Sequence, residues 1–539
     1  MELNLITTTY ADVRSALLER REIALLDVRE EHIHAQAHPL FAAQLSLSRL
    51  ELLAYARLPR RDVAVVTLDD EGAAGGRAER AAQRLLELGY TRVAVFSGGV
   101  KAWAAAGGEL FSDVNVPSKS FGELVDTTLH TPALAASEVK ALLDARADVV
   151  VVDVRRFDEY QAMNIPGAIS VPGAELVLRV PELAPDPATR VIVNCAGRTR
   201  SIIGAQSLVN AGLPNPVAAL RNGTIGWILD GLEESLEHGQ TRHFPPVTAP
   251  TRQLAAQRAR AVAERAGVKW VTLDAIGPWQ SQSGRTTYFV DVRDPDEYLA
   301  GHLPGFCSVP GGQLVQETEM TATVRGARLV LADTDGARAA MTASWLAQMD
   351  WEVYVLTPPP AAAWHETGAW QTPLPPLPDV PVIAPATLAQ WQQSSEPPLV
   401  IDLTTYANYQ RAHIPGAWYA LRADYHSALA RLPRASRYVL TCLSGLLGYY
   451  SLKEFAALIA DREGVEVYAL DGGTNAWQAA GLPLEQEARL ASDPIDRYRR
   501  PYEGTDHNPQ AMQAYLDWEF GLVDQLARDG THHFRVLQP

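Results

Sequence analysis

Cys195 is the residue of this sequence best placed to do chemistry. It follows the apolar run 191–193 and Asn194 and precedes Ala196, Gly197, Arg198, Thr199, Arg200 and Ser201, after which the spacing over 202–209 predicts a helix. A buried strand, a short glycine-containing loop and a helix therefore set a thiol at a helix mouth with two guanidinium groups beside it. Helix N-termini and guanidinium groups both favour thiolate over thiol, so Cys195 is predicted to ionise unusually easily and to act as a nucleophile. The loop can turn the N–H groups of Ala196 through Ser201 inward as a nest for an anion. Gly197 would relieve crowding at the bend, and Arg198 and Arg200 would supply formal charge. Such a site suits covalent catalysis in two half-reactions, with the group in transit held on the sulfur. The plain alternative is a structural thiol buried in a core.

The elements that position this loop recur along the chain. Asp-Val-Arg follows a β-rich run at Asp27-Val28-Arg29, Asp153-Val154-Arg155 and Asp291-Val292-Arg293, with a weaker copy at Asp402-Leu403-Thr404. Downstream come His38-Pro39, Ile165-Pro166-Gly167-Ala168, Leu303-Pro304-Gly305 and His413-Ile414-Pro415-Gly416-Ala417. Each copy then has a strand, a loop and a helix, and closes on a tryptophan: Trp103, Trp227, Trp364 or Trp477. In three copies the tryptophan follows Gly98-Gly99, Asn222-Gly223 or Gly472-Gly473. Copies spaced by about one ordinary domain imply four tandem domains and not a solenoid, whose repeats are far shorter. Strands alternating with helical patterns, as at 78–88, 137–143 and 452–459, predict an α/β fold with mainly parallel sheets covered on both faces. Chemistry in such sheets sits at strand ends, before helix starts. Proline and polar residues gather at 115–131, 244–252 and 372–382, which are read as linkers.

Composition narrows the function classes. The 539 residues are 47% hydrophobic and carry a formal charge of −16, which argues against nucleic acid or an anionic membrane as partner. No apolar run approaches a membrane span, and the first residues show neither a basic head nor an apolar signal core, so the cytoplasm is the expected location. Three cysteines cannot build a disulfide framework, which suits a reducing compartment. No metal or cofactor is expected: His532-His533 stands without companion ligands, and there is neither a Cys-x-x-Cys nor a glycine-rich nucleotide fingerprint.

Taken as a set, Asp-Val-Arg, His-Ile-Pro-Gly-Ala, a strand-loop-helix with Cys-x-x-x-x-Arg and a terminal Gly-Gly-x-x-x-Trp resemble tandem rhodanese domains, over nearly everything between residues 12 and 485. The resemblance implies four rhodanese-like domains at 1–114, 128–243, 262–373 and 381–487, with a helical C-terminal tail at 488–539. It also implies a sulfurtransferase that carries sulfane sulfur as a persulfide on Cys195, taken from thiosulfate and passed to cyanide or a thiol. Four residues between cysteine and arginine fit a sulfur atom in this family, whereas related phosphatases use five. Arg200 matches the family's loop-closing arginine. Two arginines suit a dianionic donor, so thiosulfate is preferred over 3-mercaptopyruvate. A scaffold of domains that mainly bind partners, with the thiol a redox sensor or persulfide carrier, is the reading from a different class. Oligomeric state is left open.

The copies are unequal. In the third, Asp333 stands where the cysteine should be while Arg338 survives; in the first, Asp69, Asp70 and Glu71 precede the helix without a thiol. Both are expected to be silent, with their acidic loops solvated. The fourth keeps Cys442 as a possible second thiol, but leucine replaces the loop arginine and nothing cationic lies in the loop. Cys307 falls on a strand and is read as core. Asp153 and Arg155 are read as an ion pair at a strand end that braces the fold, and Trp227 as a helix anchor. The tail, with an amphipathic pattern over 509–526, is expected to clasp the domains, and one reading has Arg497, Arg499 or Tyr502 lining the Cys195 pocket.

Overall fold

The computed structural model describes residues 5–504, 506 and 508–538. It holds four five-stranded sheets, and in each the spatial order of strands is first, fifth, fourth, second, third, with every pairing parallel. In the second copy the strands are Ala133–Leu134, Val149–Asp153, Ile169–Ser170, Arg190–Asn194 and Val217–Leu220. Their near-continuous apolar runs are what a parallel sheet with two covered faces demands. Val152, Val191 and Val193 enter one core while Val151 and Ile192 enter another, the alternation that a pleated strand imposes. Among the described residues no helix is long and apolar enough to cross a membrane.

Trp103, Trp227 and Trp477 are fully buried on helices that begin at left-handed Gly99, Gly223 and Gly473. The third copy departs from this pattern. Pro358, Pro359 and Pro360 lead only into a short 3-10 turn at Ala361–Ala363, and Trp364 sits half-buried under the Arg293 guanidinium. Prolines have no N–H to donate and no left-handed glycine turns the chain, so no helix like those of the other three copies forms there.

Two of the three expected linkers are corrected by the structure. Residues Val116–Leu129 form a helix with proline in its first turn, buried at Val116, Phe121 and Val125 and packed on the helix Thr199–Asn210. Proline suits that position because the first N–H groups of a helix have no internal partner. The helix Ala249–Arg265, capped by the Thr248 hydroxyl, starts inside the second stretch, while the third stays extended up to the strand Val382–Ile383. The tail forms two helices, Pro509–Phe520 and Leu522–Asp529, broken at Gly521, where the sequence pattern predicts one. It ties the copies together. Met512, Tyr515 and Leu516 enter a core of the second copy, Arg528 pairs with Glu109 of the first at 2.8 Å, and the Leu537 N–H donates to Gln348 of the third at 2.7 Å.

Candidate active site

Cys195 follows the strand Arg190–Asn194, and the next helix begins at Thr199, three residues earlier than its apolar spacing predicts, so Arg200 and Ser201 lie in its first turn. The helix that starts at Gly223 buttresses the loop: the Thr224 N–H and hydroxyl donate to the Cys195 carbonyl at 2.9 and 3.1 Å, and the Ile225 N–H donates to the Ala196 carbonyl at 2.9 Å. Gly223 has φ +55°, and a Cβ there would lie 2.3 Å from the Cys195 carbonyl oxygen, so only glycine fits. The Ser201 N–H and hydroxyl lie against the sulfur, and the hydroxyl gives its one proton to the Arg198 carbonyl at 2.8 Å.

The two loop arginines separate. Arg200 acts on the thiol and pairs with Glu159, on the helix Phe157–Ala162, at 2.8 Å. Arg198 is held by Glu123 and Asp126 of the helix Val116–Leu129 at 2.7 and 2.8 Å, donates to the Asn222 side chain and lies over the Phe520 ring. Its charge is engaged by two carboxylates, away from the role expected for it. Thr199 packs against Gly122, where a Cβ would meet its methyl at 2.8 Å. Gly197 faces the tail: a Cβ there would lie 3.3 Å from the Tyr515 ring and 3.5 Å from a Glu519 carboxyl oxygen.

The thiol itself is 1% exposed. Burial pushes its pKa above the ordinary cysteine range, although Arg200 and Ser201 pull the other way. The expectation of unusually easy ionisation is corrected for this state, because desolvation of the anion outweighs one guanidinium and the helix start. Asp153 and Arg155 form a buried pair at 2.8 Å, and the Asn194 amide donates to Asp153 at 2.9 Å. The same pair appears at Asp27–Arg29 and Asp291–Arg293, in copies without the thiol.

The acidic loop of the third copy is not solvated. Asp333, at the position of Cys195, accepts from the Gly336 and Ala339 N–H groups at 3.0 and 2.8 Å. Asp335 accepts from the Ala337 and Arg338 N–H groups at 2.8 and 3.1 Å. Carboxylates thus fill the nest. Arg338 closes it, pairing with Asp335, with Glu297 and with Glu175 of the second copy. Burial, and then Asp335 nearby, push Asp333 well above the usual carboxyl range. In the first copy Asp69 likewise accepts from Glu71, Gly72 and Ala78, while Glu71 stays exposed as expected. In the fourth, Cys442 lies 3.7 Å from the Ser444 hydroxyl, its thiol raised by burial, and Leu443 and Ser444 face solvent. Cys307 sits on its strand, 3.4 Å from the Phe289 carbonyl, and burial pushes its thiol up to about 12.

A cavity of about 610 Å³ opens beside the loop, with Ala196, Arg155 and Glu159 in one wall and residues of the first copy, the third copy and the tail in the others. Tyr502 and Arg497 of the tail line it, whereas Cys195, whose pocket they were expected to line, is not among its lining residues. Arg499 is held by Asp506 at the surface. Glu159, Glu123, Tyr515 and Glu519 are the neighbours that sequence reasoning missed. A signal for Glu159 existed: a glutamate stands six residues after the Asp-Val-Arg aspartate in the two copies that keep the loop arginine, at Glu159 and Glu297, and is replaced by Ile33 and Asn408 in the two that lack it.

The family model for the rhodanese-like domain matches the chain at residues 10–106, 135–230, 279–357 and 384–480, stopping short of Trp364 in the third copy. The crystal structure of thiosulfate sulfurtransferase from Pseudomonas aeruginosa is 62% identical, with a TM-score of 0.96 over 99% of this chain and 100% of that one. A rhodanese-related protein from Thermoplasma volcanium is 18% identical over 20% of this chain and 100% of its own, with a TM-score of 0.18. An HTH-type transcriptional regulator of Mycobacterium tuberculosis is 36% identical over 105 residues, 19% of this chain, and the chain spans 46% of the length of that curated relative.

Proposed function

Because the chain belongs to the rhodanese family, we propose that it is a sulfurtransferase that takes sulfane sulfur from thiosulfate onto Cys195 and passes it to cyanide or a thiol. The thiol first gives its proton to water, at a cost raised by burial and reduced by Arg200 and Ser201. The thiolate attacks the outer sulfur of thiosulfate. A new S–S bond forms as the old one breaks, and sulfite leaves with the electron pair. An acceptor nucleophile then attacks the outer sulfur of the persulfide, and the thiolate returns. Loop N–H groups and Arg200 stabilise the negative charge throughout. The observation that carries this reading is the contrast between loops of one architecture. Carboxylates occupy the nest in the third copy, whereas the second has a thiol at the same position, no acid among the four residues that follow, and an arginine closing the turn. The second copy, 128–243, is accordingly the catalytic one, and the first and third are silent. All three cysteines are free, which supports a reducing location such as the cytoplasm.

Incubation with thiosulfate is the test. The intact mass should rise by one sulfur atom, and cyanide should discharge it as thiocyanate. Cys195→Ser should abolish both, whereas Cys442→Ser should keep both. Sulfur uptake that survives Cys195→Ser, or disappears with Cys442→Ser, overturns the assignment.

A further inference from the structure

The first copy departs from the others at a position that sulfur transfer does not use. Seven residues after the strand-end aspartate the other copies have Tyr160, Tyr298 and Tyr409, whose hydroxyls donate to the carbonyls of Ala168, Phe306 and Ala417 at 2.9, 2.8 and 2.8 Å. The first copy has His34 there, and its ring turns to Asp27 instead, with Nδ1 2.8 Å from a carboxyl oxygen. A carboxylate only accepts, so Nδ1 carries the proton and Nε2 of the neutral ring is an acceptor. Nε2 has no hydrogen-bond partner among the described residues, and it is not one of the atoms sealed away without a partner. His34 lines the cavity of about 610 Å³, a volume in the range of sites that enclose organic small molecules. His38, stacked on His34 with ring centroids 3.8 Å apart, is different: the Pro39 and Asp113 carbonyls lie 2.9 and 3.0 Å from its two nitrogens. The fold uses both nitrogens of one ring and leaves one nitrogen of the other facing the cavity.

The tail brings a cation to the same corner. It runs along the short helix Glu31–His34, where the His32 N–H donates to the Ile495 carbonyl at 3.1 Å and the Tyr498 N–H donates to the Glu31 carboxylate at 3.0 Å. Glu31 and His34 stand three residues apart on one helix face, and Arg497, Arg500 and His34 all act on the Glu31 carboxyl. Arg497 also lines the cavity and its side chain is 57% exposed. It shares Glu503 with Arg500, so it can turn to another anion while Glu503 keeps a partner. We propose that His34 and Arg497 form a binding site for a small hydroxycarboxylate, whose hydroxyl donates to Nε2 of His34 and whose carboxylate pairs with Arg497. A hydroxyl suits the acceptor nitrogen, because an ammonium group would set a further cation beside two guanidiniums and a thiol is a weak donor. A carboxylate matches the guanidinium through charge-assisted hydrogen bonds. The site contains neither Cys195 nor its loop and stands independently of the sulfurtransferase reading. It gives the first copy a ligand of its own, one that joins this copy to the tail and stabilises the folded chain by mass action.

The test uses the full-length protein, diethyl pyrocarbonate, which acylates a reachable imidazole nitrogen, and lactate as the probe ligand. Site-resolved mass spectrometry should find His34 acylated and His38 unmodified. Lactate should slow the acylation of His34 and raise the Tm. Propionate, which lacks the hydroxyl, and lactamide, which lacks the charge, should each need about tenfold higher concentration for the same effect, the loss of one hydrogen bond. His34→Tyr restores the residue of the other three copies; it should unfold as cooperatively as the wild type and gain no Tm from lactate. Arg497→Ala changes an exposed side chain and leaves the core of the first copy intact, and it should weaken the response to lactate by about tenfold. An unreactive His34, no effect of lactate, equal effects of the three compounds, or an undiminished response in both variants would each overturn the site.

Discussion

Two carboxylates act on the Cys195 loop with opposite effect. Burial opposes ionisation of Glu159, but Arg200 and Arg155 hold it below the usual range, and in return it fixes the Arg200 guanidinium. Glu519 has no such partner for one of its oxygens. Burial, reinforced by Glu123 and opposed by Lys119, Arg198 and the Tyr515 hydroxyl, pushes its pKa up to about 8. Below that pH it is a neutral acid beside Gly197; above it a negative charge faces the loop and makes the Cys195 thiolate harder to form. Glu519→Gln should therefore match the wild type in persulfide formation at pH 6 and exceed it by roughly threefold at pH 9, the effect of one charge at intermediate dielectric. Stability should follow the same group. A carboxyl whose folded pKa is raised favours folding fully below its unfolded value of about 4.5, and that contribution disappears as pH climbs through about 8. The wild-type Tm should thus fall between pH 7 and 9 by more than that of the variant. Parallel rate and Tm profiles would show that Glu519 does not titrate in this range.

At the scale of elements, the glycines before the tryptophans are what hold the loop. Gly223 has φ +55° and its Cβ position is occupied by the loop backbone, whereas Gly167, at φ +73°, faces open space within 4 Å. Alanine at either position costs about 1–2 kcal/mol of left-handed strain, which thermal denaturation would register in both. Only Gly223→Ala must also push the Cys195 carbonyl aside, so it alone should lose most thiocyanate formation; similar activity in the two variants would separate the buttress from the chemistry. Much of this was legible in the sequence. The Asp-Val-Arg strands, the thiol after its strand and the Asn222-Gly223 turn all appear as local patterns, because strand period and left-handed glycine are local physics. The helix Val116–Leu129 was not legible. Its Pro117 and polar residues read as a linker, yet Lys119 pairs with Asp113 at 2.7 Å and lies over the Tyr515 ring of the tail, and Glu123 pairs with Arg198, so the polar groups find partners that the local pattern does not show. The position of Arg198 was lost for the same reason, since the carboxylates that capture it lie in that unrecognised helix. Asp335, too, was legible as an acid but not as the occupant of its own nest.

At the scale of the whole molecule, the tail is the cover of the candidate site. Tyr502, Met512, Tyr515 and Leu516 share one core with Ile192, Ala196 and Trp227, and Tyr515 stands against Gly197. Farther along, Leu522, Leu526 and Phe534 join the core that contains Phe121 of the helix behind Arg198 and Trp345 of the third copy. The deep burial of Cys195 is thus a property of the assembled chain, and the raised pKa of its thiol follows from it. Cys442 offers an internal comparison, because the two residues after it face solvent. Removing the chain after residue 508 should raise the rate at which iodoacetamide modifies Cys195 by at least about tenfold, since opening even a small part of a buried site exposes the thiol and relieves the desolvation that keeps it neutral. Modification of Cys442, followed on its own peptide by mass spectrometry, should not change. Tyr515→Ala is the milder form of the experiment: it should cost about 3 kcal/mol, as large-to-small changes in a core do, and shift the ratio of the two rates in the same direction. If the ratio stays constant in both variants, the second domain shields its thiol without the tail, and the reason for a clasp must be sought in the contacts at Glu109 and Gln348 instead.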